Sequence, residues 1–96
     1  MRSVFEVIDK RGKTIYLSHE RWRHINHEHP ELSGFLEEIK DTLLYPSSIC
    51  QFDDTIWYFY KYLKHRFISE KYLLVIVKYL NGEGFIITAY LVGLIK

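Results

Sequence analysis

The sequence predicts a single α+β domain, because the spacing of its apolar residues changes once along the chain. Between residues 31 and 44, apolar side chains recur with the period of an amphipathic helix. From residue 49 onwards they recur with a period of two, which is typical of β-strands. The 96 residues, of which 48% are hydrophobic, suffice for one core. We therefore expect one domain over residues 1–96, with helices that precede an antiparallel sheet.

The N-terminal segment predicts a short β-hairpin. Residues 4–8 and 14–17 read as strands, and the charged segment between them contains Gly12, a residue type that favours turns. Ser18 then supplies a good N-cap, since its hydroxyl can accept a hydrogen bond from the first turn of a helix. The hairpin is therefore expected to lead directly into the first helix.

Two helices follow the hairpin. The first is expected over residues 19–27, and Pro30 ends it because a residue before proline avoids helical backbone. The second is expected over residues 31–44, with Gly34 as an unfavourable interior residue whose cost packing offsets. Its apolar stripe consists of Leu32, Phe35, Leu36, Ile39 and Leu43.

Four strands complete the predicted fold, as an antiparallel meander. They are expected at residues 48–52, 55–64, 72–80 and 85–92. Residues 81–84, Asn-Gly-Glu-Gly, have the composition of a tight hairpin turn between the last two strands. Because both faces of these strands are rather apolar, we expect the sheet to be covered on both sides.

The net charge of +1 conceals an uneven distribution of charged residues. Residues 25–54 carry one Lys and seven Asp or Glu, whereas residues 55–96 carry six Lys or Arg and two Glu. A basic C-terminal half suits a polyanion. An ordinary solvated surface explains the same pattern, and composition does not distinguish the two.

The sequence favours a cytoplasmic protein. Cys50 is the single cysteine, so no intrachain disulfide can form, which fits a reducing compartment. The N-terminal residues lack the apolar run of a signal peptide, and no uncharged window is long enough for a transmembrane helix. We therefore expect no association with a membrane.

A histidine-rich segment in and after the first helix is the first candidate for chemistry. His24 lies off the stripe formed by Trp22 and Ile25, so it can reach the rim between helix and sheet. A histidine there can act as general acid or base near neutral pH, although a structural histidine fits the pattern too. His27 and His29 are weaker candidates. His24 and His27 are spaced to share a metal ion, but further ligands are lacking, so no metal is expected.

The last strand supplies a second constellation. Thr88 and Tyr90 lie two residues apart and therefore share a face. Their hydroxyls could hold or polarise a phosphate, although both residue types are also common in strands. Cations for the phosphate oxygens are available from Lys61, Lys64, Arg66, Lys71 and Lys78. Lys78 shares the face of Thr88 only if a bulge shifts the register of the hairpin.

A run of aromatic residues marks the long middle strand. Tyr58, Tyr60 and Tyr62 alternate along it and share a face, so they could stack on bases beside Lys61 and Lys64. Cross-strand packing is the alternative explanation. The residues predicted to bind substrate are Lys61, Lys64, Lys78 and Tyr60.

Five short motifs follow one another along most of the chain. They are Trp22-Arg23-His24-Ile25, His29-Pro30-Glu31-Leu32, an I-x-x-T-L-x-x-P run over Ile39–Pro46, Y-L-L-V-I-V-K over Tyr72–Lys78 and F-I-I-T-A-Y over Phe85–Tyr90. In this order and spacing they resemble the phage-associated barnase–EndoU–colicin–RelE-like nuclease domains. The resemblance spans roughly residues 14–92.

The resemblance implies a metal-independent endoribonuclease on a barnase/RelE-like sheet flanked by N-terminal helices. It implies that His24, Thr88 and Tyr90 lie at the active site and that no cofactor takes part. It also implies a catalytic basic residue from the middle strands, and the candidates are Arg66, Lys61 and Lys78.

The same resemblance sets expectations for partners. RNA would be the substrate, and a toxin or mobile-element product would also pair with an antitoxin or immunity protein. The alternative is a catalytically inactive module of the same fold that binds RNA or a protein partner. Exposed edge strands suggest a third alternative, a structural or dimerising protein.

Overall fold

The structure, a computed structural model, describes residues 3–64 and 69–95 of the chain. Within these residues two helices and six strands follow one another, with a single 3-10 turn between the helices. In chain order they are β1 Ser3–Ile8, β2 Thr14–Ser18, α1 His19–Glu28, the 3-10 turn Pro30–Leu32, α2 Leu36–Leu44, β3 Ser48–Gln51, β4 Ile56–Tyr62, β5 Tyr72–Leu80 and β6 Glu83–Val92. The predicted α+β class is therefore confirmed.

The strands form one six-stranded mixed sheet in the order β1-β2-β6-β5-β4-β3. The prediction of a hairpin beside a four-stranded meander was wrong in its details, because β2 pairs in parallel with β6 and joins the hairpin to the sheet. Gly84 allows this pairing. A Cβ there would lie 2.9 Å from Ile15 Cγ1 and 3.0 Å from Val77 Cγ1, so a larger residue would hold the strands apart.

Both helices lie on the same side of the sheet. Ile25 of α1 and Ile39 of α2 are fully buried against alternate residues of the central strands, such as Val75 and Val77. On the other face Tyr60 and Leu74 are buried, whereas Tyr62 and Phe85 are exposed, so the expectation that the sheet is covered on both sides holds only in part. None of the helices in residues 3–64 and 69–95 is long and apolar enough to cross a membrane.

The helix boundaries follow from their caps. Ser18 Oγ accepts a hydrogen bond from the Arg21 amide at 3.0 Å, as predicted for the N-cap of α1. The second helix begins five residues later than predicted, at Leu36. Pro30 starts a 3-10 turn, and Gly34 then interrupts the helical pattern because glycine disfavours a helix interior. Leu32 and Phe35 nevertheless remain buried in the core.

Candidate nucleic-acid interface

The sheet surface opposite the helices is rich in aromatic side chains, and we call it the aromatic face. Cross-strand register assigns to it Tyr16, Tyr58, Tyr60, Tyr62, Tyr72, Phe85 and Tyr90. Neighbouring rings are in contact: the Tyr58 and Tyr60 centroids lie 6.4 Å apart, and those of Tyr60 and Tyr72 lie 6.5 Å apart. The predicted common face of Tyr58, Tyr60 and Tyr62 therefore exists, and cross-strand packing accounts for part of it.

A β-bulge determines which residues of β6 reach the aromatic face. Lys78 is opposite Phe85, whereas Ile76 is opposite Thr88, so Ile87 is the extra residue. Without it, Thr88 would point towards the helices. Thr88 and Tyr90 instead share the aromatic face with Lys78. The sequence left two registers open, and the structure has the bulged one, with the bulge in β6 rather than in the turn.

The histidine in contact with Tyr90 is His29. The two rings are stacked, with centroids 5.3 Å apart and planes inclined by 24°. His29 is the C-cap residue of α1, where its amide bonds the Ile25 carbonyl at 2.8 Å. Its Nδ1 lies 3.8 Å from Glu31 Oε2, and 32% of its side chain is exposed. At this distance Glu31 can pair with a protonated His29 ring but does not accept a hydrogen bond from it.

His24 lies elsewhere on α1. It is exposed and precedes the fully buried Ile25, so its side chain points about 100° away from the buried face of the helix. Among residues 3–64 and 69–95 it makes no side-chain hydrogen bond, ion pair or ring contact. The structure thus brings Thr88 and Tyr90 onto one face, but it does not bring His24 into contact with either.

The predicted cations occupy different surroundings. Lys61 lies on the helix side, where its Nζ donates to the Tyr45 carbonyl at 2.7 Å and pairs with Asp41 at 3.2 Å. Lys64 is exposed just beyond β4, and Lys78 is exposed on the aromatic face. Arg66, the predicted catalytic cation, lies outside the described residues.

Two of the clefts on the aromatic face lie beside Lys78 and Tyr90. The first, which we call the β2–β6 cleft, has a volume of about 470 Å³ and is lined by Ser3, Tyr16, Ser18, Arg21, Lys78, Leu80, Glu83, Phe85, Ile86 and Ile87. The second, of about 460 Å³, is lined by Tyr58, Tyr60, Leu74, Tyr90, Val92, Gly93 and Leu94. Tyr60 forms the base of the second cleft and is only 1% exposed, which limits it to packing beneath a ligand.

Apart from Lys78, the residues that line the β2–β6 cleft were not predicted from the sequence to bind a substrate. Arg21 and Phe85 were assigned no role, because only the parallel pairing of β2 with β6 brings them together. Tyr16 was taken as a strand residue, yet its hydroxyl donates to Glu83 Oε2 at 2.7 Å. This hydrogen bond raises the pKa of Tyr16. The signal available in the sequence for the strand residues of this cleft was their position at the sites of an otherwise apolar strand that are expected to be exposed.

A second missed cluster lies on the helix side of the same strands. The Asp9 carboxylate is buried and accepts from the Tyr79 hydroxyl at 2.6 Å and from the Arg11 and Lys13 amides at 2.8 Å. The Arg11 guanidinium lies 3.8 Å from the centre of the Trp57 ring. Burial, and then the hydrogen bond to Asp9, raise the pKa of Tyr79. We call these residues the Asp9 cluster.

Metal ligands are not grouped in the part of the chain that the structure describes. No set of three His, Cys, Asp or Glu side chains lies close enough there to hold a metal ion. His24 and His27 are both exposed on α1.

Comparison with known proteins adds no relative. The chain matches no protein-family model, and searches of the curated proteins and of the solved structures find no match. The resemblance to barnase–EndoU–colicin–RelE-like nucleases stays a prediction.

Proposed function

We propose that this protein is a metal-independent endoribonuclease whose active site is the Tyr90 end of the aromatic face. The stack of His29 on Tyr90 is the observation that supports this most directly. It combines an imidazole, which can accept or donate a proton, with a phenol hydroxyl, and Thr88 lies on the same face of the same strand as Tyr90. These are the groups that transfer protons and donate hydrogen bonds to a phosphate.

The reaction would be an internal transesterification of RNA. The 2′-oxygen forms a bond to the adjacent phosphorus, and the bond from phosphorus to the 5′-oxygen breaks. The products are a 2′,3′-cyclic phosphate and a 5′-hydroxyl. Neutral His29 would accept the 2′-OH proton, and solvent would return a proton to the leaving 5′-oxygen. Tyr90 and Thr88 would donate to the phosphate oxygens, where negative charge accumulates in the transition state.

The geometry favours His29 over His24 for the proton transfer. Glu31 lies near His29 Nδ1 and would orient the ring, whereas His24 has no such neighbour among the described residues. Nε2 of His29 would then face the substrate. A histidine held between a carboxylate and an aromatic ring loses less rotational freedom on binding than one that is free in solvent.

The experiment is a cleavage assay on single-stranded RNA in the presence of EDTA. We expect wild-type protein to cleave, and His29→Ala to be slower by about 10²–10⁴-fold, since it loses general acid or base catalysis. Tyr90→Phe should slow the reaction as well, because it keeps the ring and removes only the donor. His24→Ala is the matched control, an exposed histidine of the same helix, and should retain full activity.

The result that overturns this proposal is equally specific. If His24→Ala abolishes cleavage and His29→Ala does not, the active site is not the Tyr90 end of the aromatic face. A substrate with a single 2′-deoxy position at the cleaved bond should also be inert, because it lacks the nucleophile. Cleavage of that substrate would exclude attack by the 2′-OH.

A second candidate function is an RNA-binding module of the same fold without turnover. One observation favours it: Lys78, the lysine described on the aromatic face, lies four residues from Leu74, which is opposite Tyr90. Four residues of β-strand span about 14 Å, too far for one ammonium group to serve a phosphate beside Tyr90. Wild-type protein that binds RNA but leaves it intact in every buffer would support this alternative. An antitoxin or immunity protein as partner stays a prediction.

A further inference from the structure

The β2–β6 cleft is lined by two cations, Arg21 and Lys78, and the nearest acid that interacts electrostatically with Lys78 is the exposed Asp53. Among residues 3–64 and 69–95, neither the guanidinium of Arg21 nor the ammonium of Lys78 makes a hydrogen bond or ion pair. The chain uses other cations internally: Arg11 lies over Trp57 beside Asp9, and Lys61 binds the end of α2. Cations that the fold does not use are available to a ligand.

The same cleft contains an accessible aromatic platform. Phe85 is stacked on Tyr16, with ring centroids 5.6 Å apart, and yet 40% of its surface remains exposed. An exposed phenylalanine ring is removed from water only when a ligand covers it. Bases stack on such rings whatever their identity, since every base has an aromatic face.

The surroundings of the cleft carry both signs of charge. Arg21 and Lys78 contribute two positive charges and Glu83 one negative charge, while Asp53 interacts electrostatically with Lys78 and Glu6 with Tyr16. Glu83 accepts a hydrogen bond from the Tyr16 hydroxyl beside the cleft. A phosphodiester carries a single negative charge, whereas a free terminal phosphate carries more and would be repelled by Glu83.

The position of the cleft relates it to the proposed active site. Phe85 is opposite Lys78 and Thr88 is opposite Ile76, which places the cleft about 7 Å along the sheet from Thr88. Tyr90, which is opposite Leu74, lies about 14 Å along the sheet from Lys78 on the same face; we call this position the Tyr90 level. A chain that crosses the aromatic face along β6 would therefore reach both places.

We propose that the β2–β6 cleft is a nucleotide subsite for single-stranded RNA, in which Phe85 stacks on a base and Arg21 and Lys78 bind its phosphodiester. The subsite rests on the proposed function, because it binds a nucleotide of the same RNA strand about 14 Å from the Tyr90 level. It assigns Lys78 to substrate binding beside the active site rather than to the cleaved phosphate.

The test measures binding of a short 2′-O-methyl RNA by fluorescence anisotropy, since a methylated 2′-oxygen cannot attack phosphorus and no cleavage interferes. Arg21→Gln should weaken binding and reduce the slope of log K against log salt by about 0.7, as expected for one lost phosphate contact with a single strand. Arg23→Gln, an exposed arginine of the same helix, is the matched control and should change neither quantity.

Phe85→Leu tests the stacking contact. Leucine keeps apolar bulk against Tyr16 but cannot stack on a base, so affinity should fall about tenfold at every salt concentration while the salt slope stays unchanged. Phe52→Leu, an exposed phenylalanine outside the cleft, should bind like wild type. Thermal unfolding of each variant shows whether a loss of affinity reflects a loss of fold.

The possible outcomes separate the subsite from the nuclease. Cleavage by the wild type, with unchanged KM and unchanged binding in Arg21→Gln and Phe85→Leu, overturns the subsite and leaves the nuclease standing. Binding that depends on both residues without any cleavage supports the subsite and contradicts the nuclease. Equal losses in Arg21→Gln and Arg23→Gln indicate a diffuse basic surface and overturn the subsite, as does wild-type protein that binds no RNA.

Discussion

A tyrosine hydroxyl donates to a carboxylate in two regions of this molecule, on opposite faces of the same strands. In the Asp9 cluster the donor is Tyr79 at 2.6 Å, and in the β2–β6 cleft it is Tyr16, which donates to Glu83 at 2.7 Å. The surroundings differ. Asp9 is 4% exposed and also holds two backbone amides of the β1–β2 turn, whereas Glu83 is exposed.

The difference shows how burial changes the role of the same pair of groups. A buried carboxylate that loses its donors costs free energy, because water cannot replace them. An exposed pair exchanges its hydrogen bond for water at little cost, and so adds little to stability. We therefore infer that the Asp9 cluster stabilises the fold, while the side chains of the β2–β6 cleft remain available to bind a ligand.

The largest expected effect on stability is that of Asp9→Ala. It removes the acceptor of Tyr79 and of the Arg11 and Lys13 amides, so the free energy of unfolding should fall by about 3 kcal/mol. Urea unfolding measures this. The control is Asp54→Ala in an exposed turn, which should stay within about 0.5 kcal/mol of wild type. Equal effects of the two substitutions would contradict a stabilising role for the Asp9 cluster.

Gly84→Ala tests the strand pairing that separates the two regions. The added methyl would lie 2.9 Å from both Ile15 Cγ1 and Tyr79 Cε1, and buried Ile15 has little room to move. Overpacking of this kind should cost about 1–3 kcal/mol in urea unfolding. Gly34→Ala meets nothing within 4 Å and has no positive φ, so it should be neutral or slightly stabilising.

A comparison of the variants Tyr79→Phe and Tyr16→Phe shows how much each hydroxyl contributes to the free energy of unfolding. Loss of the buried Tyr79 hydroxyl should cost about 1 kcal/mol at neutral pH, whereas Tyr16→Phe should leave the unfolding midpoint unchanged. A similar loss in both variants would mean that the exposed pair is also structural.

The pH dependence of the free energy of unfolding is a second test of the role of the Tyr79 hydroxyl. The pKa of Tyr79 is raised in the folded protein, so the unfolded chain loses this proton first, near pH 10. The contribution of Tyr79 to the free energy of unfolding is fully present below pH 10 and should decline as the pH rises above 10. The decline should be shallower in Tyr79→Phe. Urea unfolding between pH 8 and pH 11 measures the slope, and an unchanged slope in Tyr79→Phe would assign the decline to other groups.

The smallest expected effect concerns the lysines. Lys61→Met removes a hydrogen bond to the Tyr45 carbonyl and a partly exposed ion pair with Asp41, so it should cost about 0.5–1 kcal/mol. Lys78→Met removes no described hydrogen bond or ion pair and loses only an electrostatic interaction with the exposed Asp53, so it should stay within about 0.5 kcal/mol in urea unfolding. If Lys78→Met is the more destabilising of the two, Lys78 has a structural role rather than the proposed contact with RNA.

Local features of the chain were predictable from its sequence. Ser18 caps α1 as its hydroxyl requires, and Asn81 and Gly82 adopt positive φ angles of 54° and 84° in the predicted hairpin turn. The alternation of tyrosines along β4 placed them on one face. These features depend on residues close in sequence, and propensity, capping and strand period therefore suffice to predict them.

The sheet and the candidate site depend on contacts between distant residues. Parallel pairing of β2 with β6 required Gly84 to meet Ile15, and only this pairing brings Arg21 beside Phe85. The bulge at Ile87 moves Thr88 to the other face, a shift that alternation cannot reveal because it depends on register with β5.

The choice between two histidines of one segment was likewise a tertiary outcome. His24 lies on α1 just before the buried Ile25, and His29 caps the C-terminal end of the same helix. Of the two, only His29 stacks on Tyr90, because this end of α1 contacts β6. The sequence by itself determined the α+β class, the caps, the turns and the supply of aromatic and basic side chains. Packing decided which of them meet, because a shift of one residue in register reverses the face of every side chain that follows.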